Sequence, residues 1–145
     1  YAVSATVTGF GDKPLDVAVN PTTNLGYAPI HHANTVQVFD LTTNLITTTI
    51  PVLAGNPFTI AVIPSLNRVF VGENIGSAIA VVDGGSNTAL PTIPTNNEPS
   101  LVRVDPSNQR VYVAARSTGS VAVFDGSTSA AIGTPGPGWV LPPAR

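Results

Sequence analysis

Three sets of residues keep a single spacing through most of the chain. Pro14, Pro57 and Pro99 lie 43 and then 42 residues apart, and the same steps separate Pro21, Pro64 and Pro106 and again Asp40, Asp83 and Asp125. A period near 42 residues carried by three independent markers means a repeat architecture. In such a chain each unit is one supersecondary piece that buries its apolar surface by stacking on its neighbours.

Within each unit, short β-branched runs alternate with turn chemistry, which predicts strands rather than helices. Strand a is expected at Leu15–Val19, Phe58–Val62 and Leu101–Val104, ending at Asn20-Pro21, Ile63-Pro64 and Asp105-Pro106, where proline removes a backbone donor. Strand b is expected at Leu25–Ala28, Arg68–Gly72 and Arg110–Ala114, and strand c at Thr35–Phe39, Ala78–Val82 and Ser120–Phe124. Strand d follows at Leu45–Ile50, Thr88–Ile93 and, less clearly, Ala130–Thr134. Asp40, Asp83 and Asp125 close strand c ahead of small polar residues. An aspartate so placed accepts from backbone N–H groups two or three positions on, and its recurrence in every unit marks it as a structural turn residue.

Four short strands in about 42 residues is the size of a β-propeller blade, whereas an Ig-like sandwich needs about twice that length. The expected fold is therefore all-β: a single β-propeller block of three four-stranded blades. Blade 1 spans 13–55, blade 2 spans 56–97 and blade 3 spans 98–134, with a leading strand d in 1–12 and a Pro/Gly-rich tail in 135–145.

The unit also resembles the YVTN-type propeller repeat: a Tyr-Val pair, a variable loop, a Val-x-Val-Ile-Asp strand, a Thr-Asn turn and an Ile-x-Val-Gly-x-x-Pro exit. The matching residues are Tyr112-Val113 to Val121-Ala-Val-Phe-Asp125, Phe70-Val71 to Ile79-Ala-Val-Val-Asp83, and Tyr27 to Val36-Gln-Val-Phe-Asp40. The exit of the first unit, Ile50-Pro-Val-Leu-Ala-Gly-Asn-Pro57, is a close variant. The chain departs from the family at its Thr-Asn, which here is Pro29-Ile30, Gly72-Glu73 and Ala114-Ala115. The resemblance implies a propeller but no single activity, because such propellers serve as surface-layer proteins and also as lactonase-like, lyase-like and electron-transfer subunits.

Propellers close with four to eight blades, so three leave two open faces. Val3–Thr8 keeps the distance to Pro14 that strand d of blade 1 keeps to Pro57. It reads as an orphan strand d, with Val3, Ala5 and Val7 as strand-exchange residues. Reciprocal exchange between two chains makes a six-bladed homodimer, a head-to-tail contact that does not close makes a fibre, and further blades of a longer chain would close the ring themselves. Unpaired edge strands argue for pairing of some kind.

Charged residues make up 10% of the chain and the net charge is −2, which leaves no basic field for nucleic acid. Pro, Asn, Thr or Gly interrupts every apolar stretch, so no membrane insertion is expected. Cysteine is absent, which excludes disulfides and thiolate metal sites. A start at Tyr1 and a surface rich in Thr, Asn and Ser with one lysine, Lys13, point to an exported protein, extracellular, at the cell surface or periplasmic.

Candidate ligand-facing residues cluster on the b–c loops. His31 and His32 stand in the first blade, Glu73 and Asn74 in the second and Arg116 in the third, so one face of a ring would gather them. Adjacent histidines in an extended loop point to opposite sides, which disfavours a shared metal, and a solvated loop is the plainer reading. Asp16 on strand a has Thr59 and Leu101 as counterparts and is a candidate for a central channel. Arg103 replaces Ala18 and Ala61 and reads as a paired structural arginine ahead of a ligand contact. Trp139 is expected to pack. No Ser/His/Asp order, paired-carboxylate motif or HExxH occurs and no cofactor is implied. The leading expectation is a non-catalytic exported module that assembles by strand exchange. The alternative is a fragment of a YVTN-like lactonase or lyase whose active site is completed by missing blades.

Overall fold

The computed structural model describes residues 2–52, 55–95 and 98–132. Eleven strands form three antiparallel sheets, each built from consecutive segments of chain. The first holds β1 (Ala18–Asn20), β2 (Leu25–Ile30), β3 (Thr35–Asp40) and β4 (Ile46–Pro51) in that order. The second holds β5 (Pro57–Ile63), β6 (Arg68–Glu73), β7 (Ala78–Asp83) and β8 (Thr88–Pro94). The third holds β9 (Pro99–Asp105), β10 (Arg110–Ala115) and β11 (Ser120–Asp125). An isolated bridge from Phe124 to Ala131 begins what would be its fourth strand. The rest of that strand and Trp139 lie outside the described residues.

The hairpins follow from residues that accept a left-handed backbone. Asn24, Asn67 and Gln109 end the turns before β2, β6 and β10 with φ of 59°, 48° and 53°, and Asn44, Asn87 and Ser129 end the turns after β3, β7 and β11 with φ of 58°, 55° and 64°. Asparagine tolerates this region because its short side chain bonds locally, so its recurrence in the period is conformational. Asp40 Oδ1 accepts from the amides of Thr42 and Thr43 at 2.8 and 2.7 Å, and Asp83 Oδ1 from Gly85 and Ser86 at 2.7 and 2.9 Å. Asp125 Oδ1 accepts from Ser127 and Thr128 at 2.9 and 2.8 Å. These three aspartates are turn residues, as their repetition implied.

The repeated prolines 14, 57 and 99 mark a bulge. Pro57 opposes Glu73 and Pro99 opposes Ala115, and the register shifts by one directly after each. Pro14 bridges Ile30 in the same way, but the ladder resumes only at Ala18 opposite Tyr27. The gap lies opposite Pro29, which has no N–H to give an inner neighbour. Strand a of the first sheet is therefore three residues long instead of the five expected from Leu15–Val19. Pro51, Pro91 and Pro94 stand in β4 and β8, edge strands where a missing donor is tolerated.

The sheets pack face to face through two apolar seams. Between the first and second lie Tyr27, Val36, Val38 and Ile50 against Ile60, Val62, Val69 and Val71. Between the second and third lie Ala61, Ile63, Phe70, Ile79 and Val81 against Val102, Val111, Val113 and Phe124. Alternate residues of β5 and β6 thus enter opposite seams, so the second sheet is buried on both sides and reads as continuous apolar runs. Innermost strands meet innermost strands: β5 contacts both β1 and β9.

Residues 2–13 do not form the expected strand: they pair with no other strand of the chain, Val3 is 84% exposed and Val7 is half-buried. Strand geometry needs a ladder partner, and none of the described residues pairs in a ladder with this segment. The end of the segment instead covers the outer side of the first sheet, where Phe10 meets Phe39 edge-on at 5.6 Å and the Gly11 amide donates to Gln37 Oε1 at 2.8 Å.

Candidate functional site

The loops that follow β2, β6 and β10, with the connectors between sheets, form the face on which the candidate residues were expected. Behind β2 the chain makes a 3₁₀ turn, His31–Ala33, and Asn34 leaves it with φ of 51°. Because the turn is not extended, the two histidines do not point apart: their rings lie 4.9 Å from each other, tilted by 43°. His31 Nδ1 stands 3.3 Å from the Pro57 carbonyl, a hydrogen bond when that nitrogen carries the proton, and its ring meets Phe58 at 6.5 Å. His32 Nδ1 faces Asp12 Oδ2 at 2.9 Å in an exposed pair. Among the described residues no group of three or more His, Asp or Glu is arranged to hold a metal ion.

Glu73 and Asn74 do not share the environment expected of loop tips. Strand b runs one residue further than expected, so Glu73 ends β6 and pairs in register with Pro57. Its side chain is buried, at 2% exposure, and Oε1 has no hydrogen-bond partner. Burial pushes this carboxyl up to about 7. Asn74 is exposed, and its amide donates to the Asn56 carbonyl at 3.0 Å. Arg116 is exposed in the turn after β10, and no described hydrogen bond or ion pair joins it to either histidine or to Glu73. The face therefore holds a histidine–aspartate cluster and a separate buried carboxyl, not one converged site.

Asp16 has a defined partner rather than an open channel position. Its Oδ2 crosses to the second sheet and accepts from the Thr59 hydroxyl at 3.1 Å and the Ile60 amide at 3.0 Å. Thr59 Oγ1 in turn lies 3.5 Å from the Val102 amide of the third sheet. A side-chain oxygen at this position thus caps the free inner edge of the next innermost strand. Leu101, the counterpart in the third sheet, offers none. Arg103 is exposed and donates to its own chain at the Val102 carbonyl, 2.7 Å away, and makes no ion pair among the described residues. No carboxylate partner for the expected paired arginine stands among the described residues.

Sequence reasoning missed three cross-sheet groups. Asn34 Oδ1 accepts from the amides of Gly55 and Asn56 at 3.4 and 3.1 Å, anchoring the connector between the first two sheets. Asn20, fully buried, donates to Asn67 Oδ1 at 2.9 Å. Arg68 reaches the carbonyls of Gly126 and Ser127. The turn aspartates titrate low for local reasons. The Thr43 amide, then that of Thr42, lowers Asp40, the Ser86 amide, then that of Gly85, lowers Asp83, and the Ser127 hydroxyl, followed by the Thr128 amide, holds Asp125 down at about 2.

No protein-family model and no curated protein matches the chain. Among solved structures it is similar to the hydrazine synthase of Kuenenia stuttgartiensis, with a TM-score of 0.76 over 91% of this chain at 19% identity. It is similar also to U3-55K, with a TM-score of 0.77 over 88% of this chain at 12% identity. The match spans 38% and 40% of those two chains respectively. At such identities the likeness speaks for the β-propeller-type architecture alone.

Proposed function

We propose that the chain is a non-catalytic structural and interaction module: three blades of a YVTN-type propeller, exported, whose ring is completed by strand and sheet contacts with another copy or with further blades. One observation carries this reading. Val36 and Ile79, on the forward faces of the first two sheets, are both 0% exposed, yet Val121, at the same position of the third, is 62% exposed. On the opposite side Ile60 and Val62 are 3% and 8% exposed where Val17 and Val19, one period earlier, are 57% and 49% exposed. The two end surfaces thus repeat, uncovered, the two halves of a seam that is buried twice inside the chain. Apolar sheet faces of this kind mark interaction surfaces. The unpaired segment 2–12 and the three described strands of the third sheet add a strand to give and a place to take it.

Light scattering coupled to size exclusion tests the proposal. Association into a dimer or a longer assembly, weakened by Val121→Asp, is the expected result. A stable monomer at concentrations of tens of micromolar would overturn assembly through these faces.

A further inference from the structure

Glu73 occupies a position that is apolar elsewhere in the chain. Ile30 in the first sheet and Ala115 in the third are the residues that pair with the prolines opening the facing strand, as Glu73 does with Pro57. Val69 and Val71 enter the seam with the first sheet, and alternation along β6 puts Glu73 on that same side. Two loops close over it. The Asn74 amide donates to the Asn56 carbonyl at 3.0 Å and the Ile75 amide to the Gly55 carbonyl at 2.9 Å, tying the loop 74–77 to the connector. A Cβ on Gly55 would collide with the Glu73 side chain as far back as its own Cβ, and one on Gly76 would displace Oε2, so Gly55 in particular lets the chain close over Glu73.

Among the described residues, none of the elements packed here brings a counter-charge. The connector contributes Gly55 and Asn56, the loop contributes Asn74, Ile75, Gly76 and Ser77, and β5 contains no ionisable side chain. On the neighbouring 3₁₀ turn, His31 is turned to the Pro57 carbonyl and His32 to Asp12, and Asp16 is engaged by Thr59 and Ile60. From the third sheet, Glu98 stands exposed before β9. An ionised carboxylate in this pocket has no donor for Oε1, and water reaches it only if the loops part.

We propose that Glu73 is a proton-operated latch on this face: protonated, it lets the loop 74–77 close over it against Gly55 and Asn56, and ionised, it drives that loop open to solvent. The proton is released to bulk water on opening and taken up again on closing. The buried carboxyl titrates near 7, which sets the upper end of the change close to neutral pH. Closure is favoured fully below about 4.5, the ordinary carboxyl value that the open form takes, and is lost as pH rises from there to about 7, because the closed form binds the proton more tightly than the open one.

The test is amide hydrogen exchange on the wild-type chain from about pH 4 to 9, corrected for the intrinsic rate, together with NMR titration of the Glu73 side-chain carboxyl. Protection of the Asn74 and Ile75 amides should fall by roughly tenfold per pH unit between about 4.5 and about 7 and be level above that. The Val111 amide in the third sheet should keep its protection. Glu73→Gln should give level protection throughout, while Glu98→Gln should leave the wild-type profile unchanged. Level protection in the wild type, an equal fall at Val111, an ordinary carboxylate midpoint for Glu73, or an unchanged slope in Glu73→Gln would each overturn the latch. The wild-type carboxyl titration decides the matter alone if Glu73→Gln does not fold.

Discussion

Replacing Asp16 by alanine separates a cross-sheet clamp from an unengaged surface carboxylate. Asp16 Oδ2 satisfies two donors on the inner edge of the second sheet, the Thr59 hydroxyl and the Ile60 amide. Thr59 and Ile60 are 2% and 3% exposed, so water does not readily replace the lost acceptor. A buried donor left unpaired costs about 1–3 kcal/mol. Two of them, less the relief of no longer desolvating a carboxylate, give an expected loss of about 2–4 kcal/mol. For a domain of this size that is a fall in Tm of about 5–15 °C. Urea denaturation followed by far-ultraviolet circular dichroism reads the loss directly, provided the m-value is unchanged. Asp16→Asn keeps one acceptor oxygen and should lose less than half as much. Asp16→Ala and Thr59→Val should couple by about 1 kcal/mol in a double-mutant cycle, because they remove the same bond. An Asp16→Ala variant within 0.5 kcal/mol of wild type, a margin usual for exposed positions, would refute the clamp.

Three further outcomes follow from the geometry. Asp40, Asp83 and Asp125 titrate below an unfolded aspartate, so their contribution is complete above about pH 4 and is lost as pH falls toward 2; urea midpoints measured from pH 5 to 2 should fall less steeply for Asp125→Asn than for wild type. Gly26→Ala drives a Cβ into the far end of the Phe39 ring, and should cost about 2–3 kcal/mol, seen as a lowered Tm with altered packing on Phe10. His32→Ala removes only an exposed pair with Asp12, so stability should change by less than about 0.5 kcal/mol, and zinc titrations of His31→Ala, His32→Ala and wild type should superimpose.

Strands b and c could be read from the sequence to within one or two residues, because the apolar alternation and the Asp and Asn turn signals all act locally. What escaped was set by neighbours more distant in the chain. The leading strand expected at Val3–Thr8 has the right pattern, but a strand is a relation between two segments and no described segment pairs with this one. The shortening of strand a depends on Pro29, a residue of the opposite strand. Glu73 was assigned to a loop tip by its charge, although the period already aligned it with Ile30 and Ala115 and so marked an inward position. Arg103 was given a partner because a charge in a strand usually has one, and no described carboxylate reaches it. Asn34 and Arg68 carried no signal, since their bonds to connector amides and turn carbonyls exist only once the sheets are stacked.

The second sheet is covered on both sides, and each of its neighbours within the chain on one. Stability is therefore distributed along the stack like tension in a short row of bricks, with the middle piece depending on both ends and neither end depending on the other. Unfolding should begin by peeling the first or third sheet away, and each loss bares a face of β5, β6 and β7 that cannot remain in water. The central hairpins are then at once the slowest part of the chain to exchange its amides and, once uncovered, the part most ready to capture a strand from a neighbouring molecule.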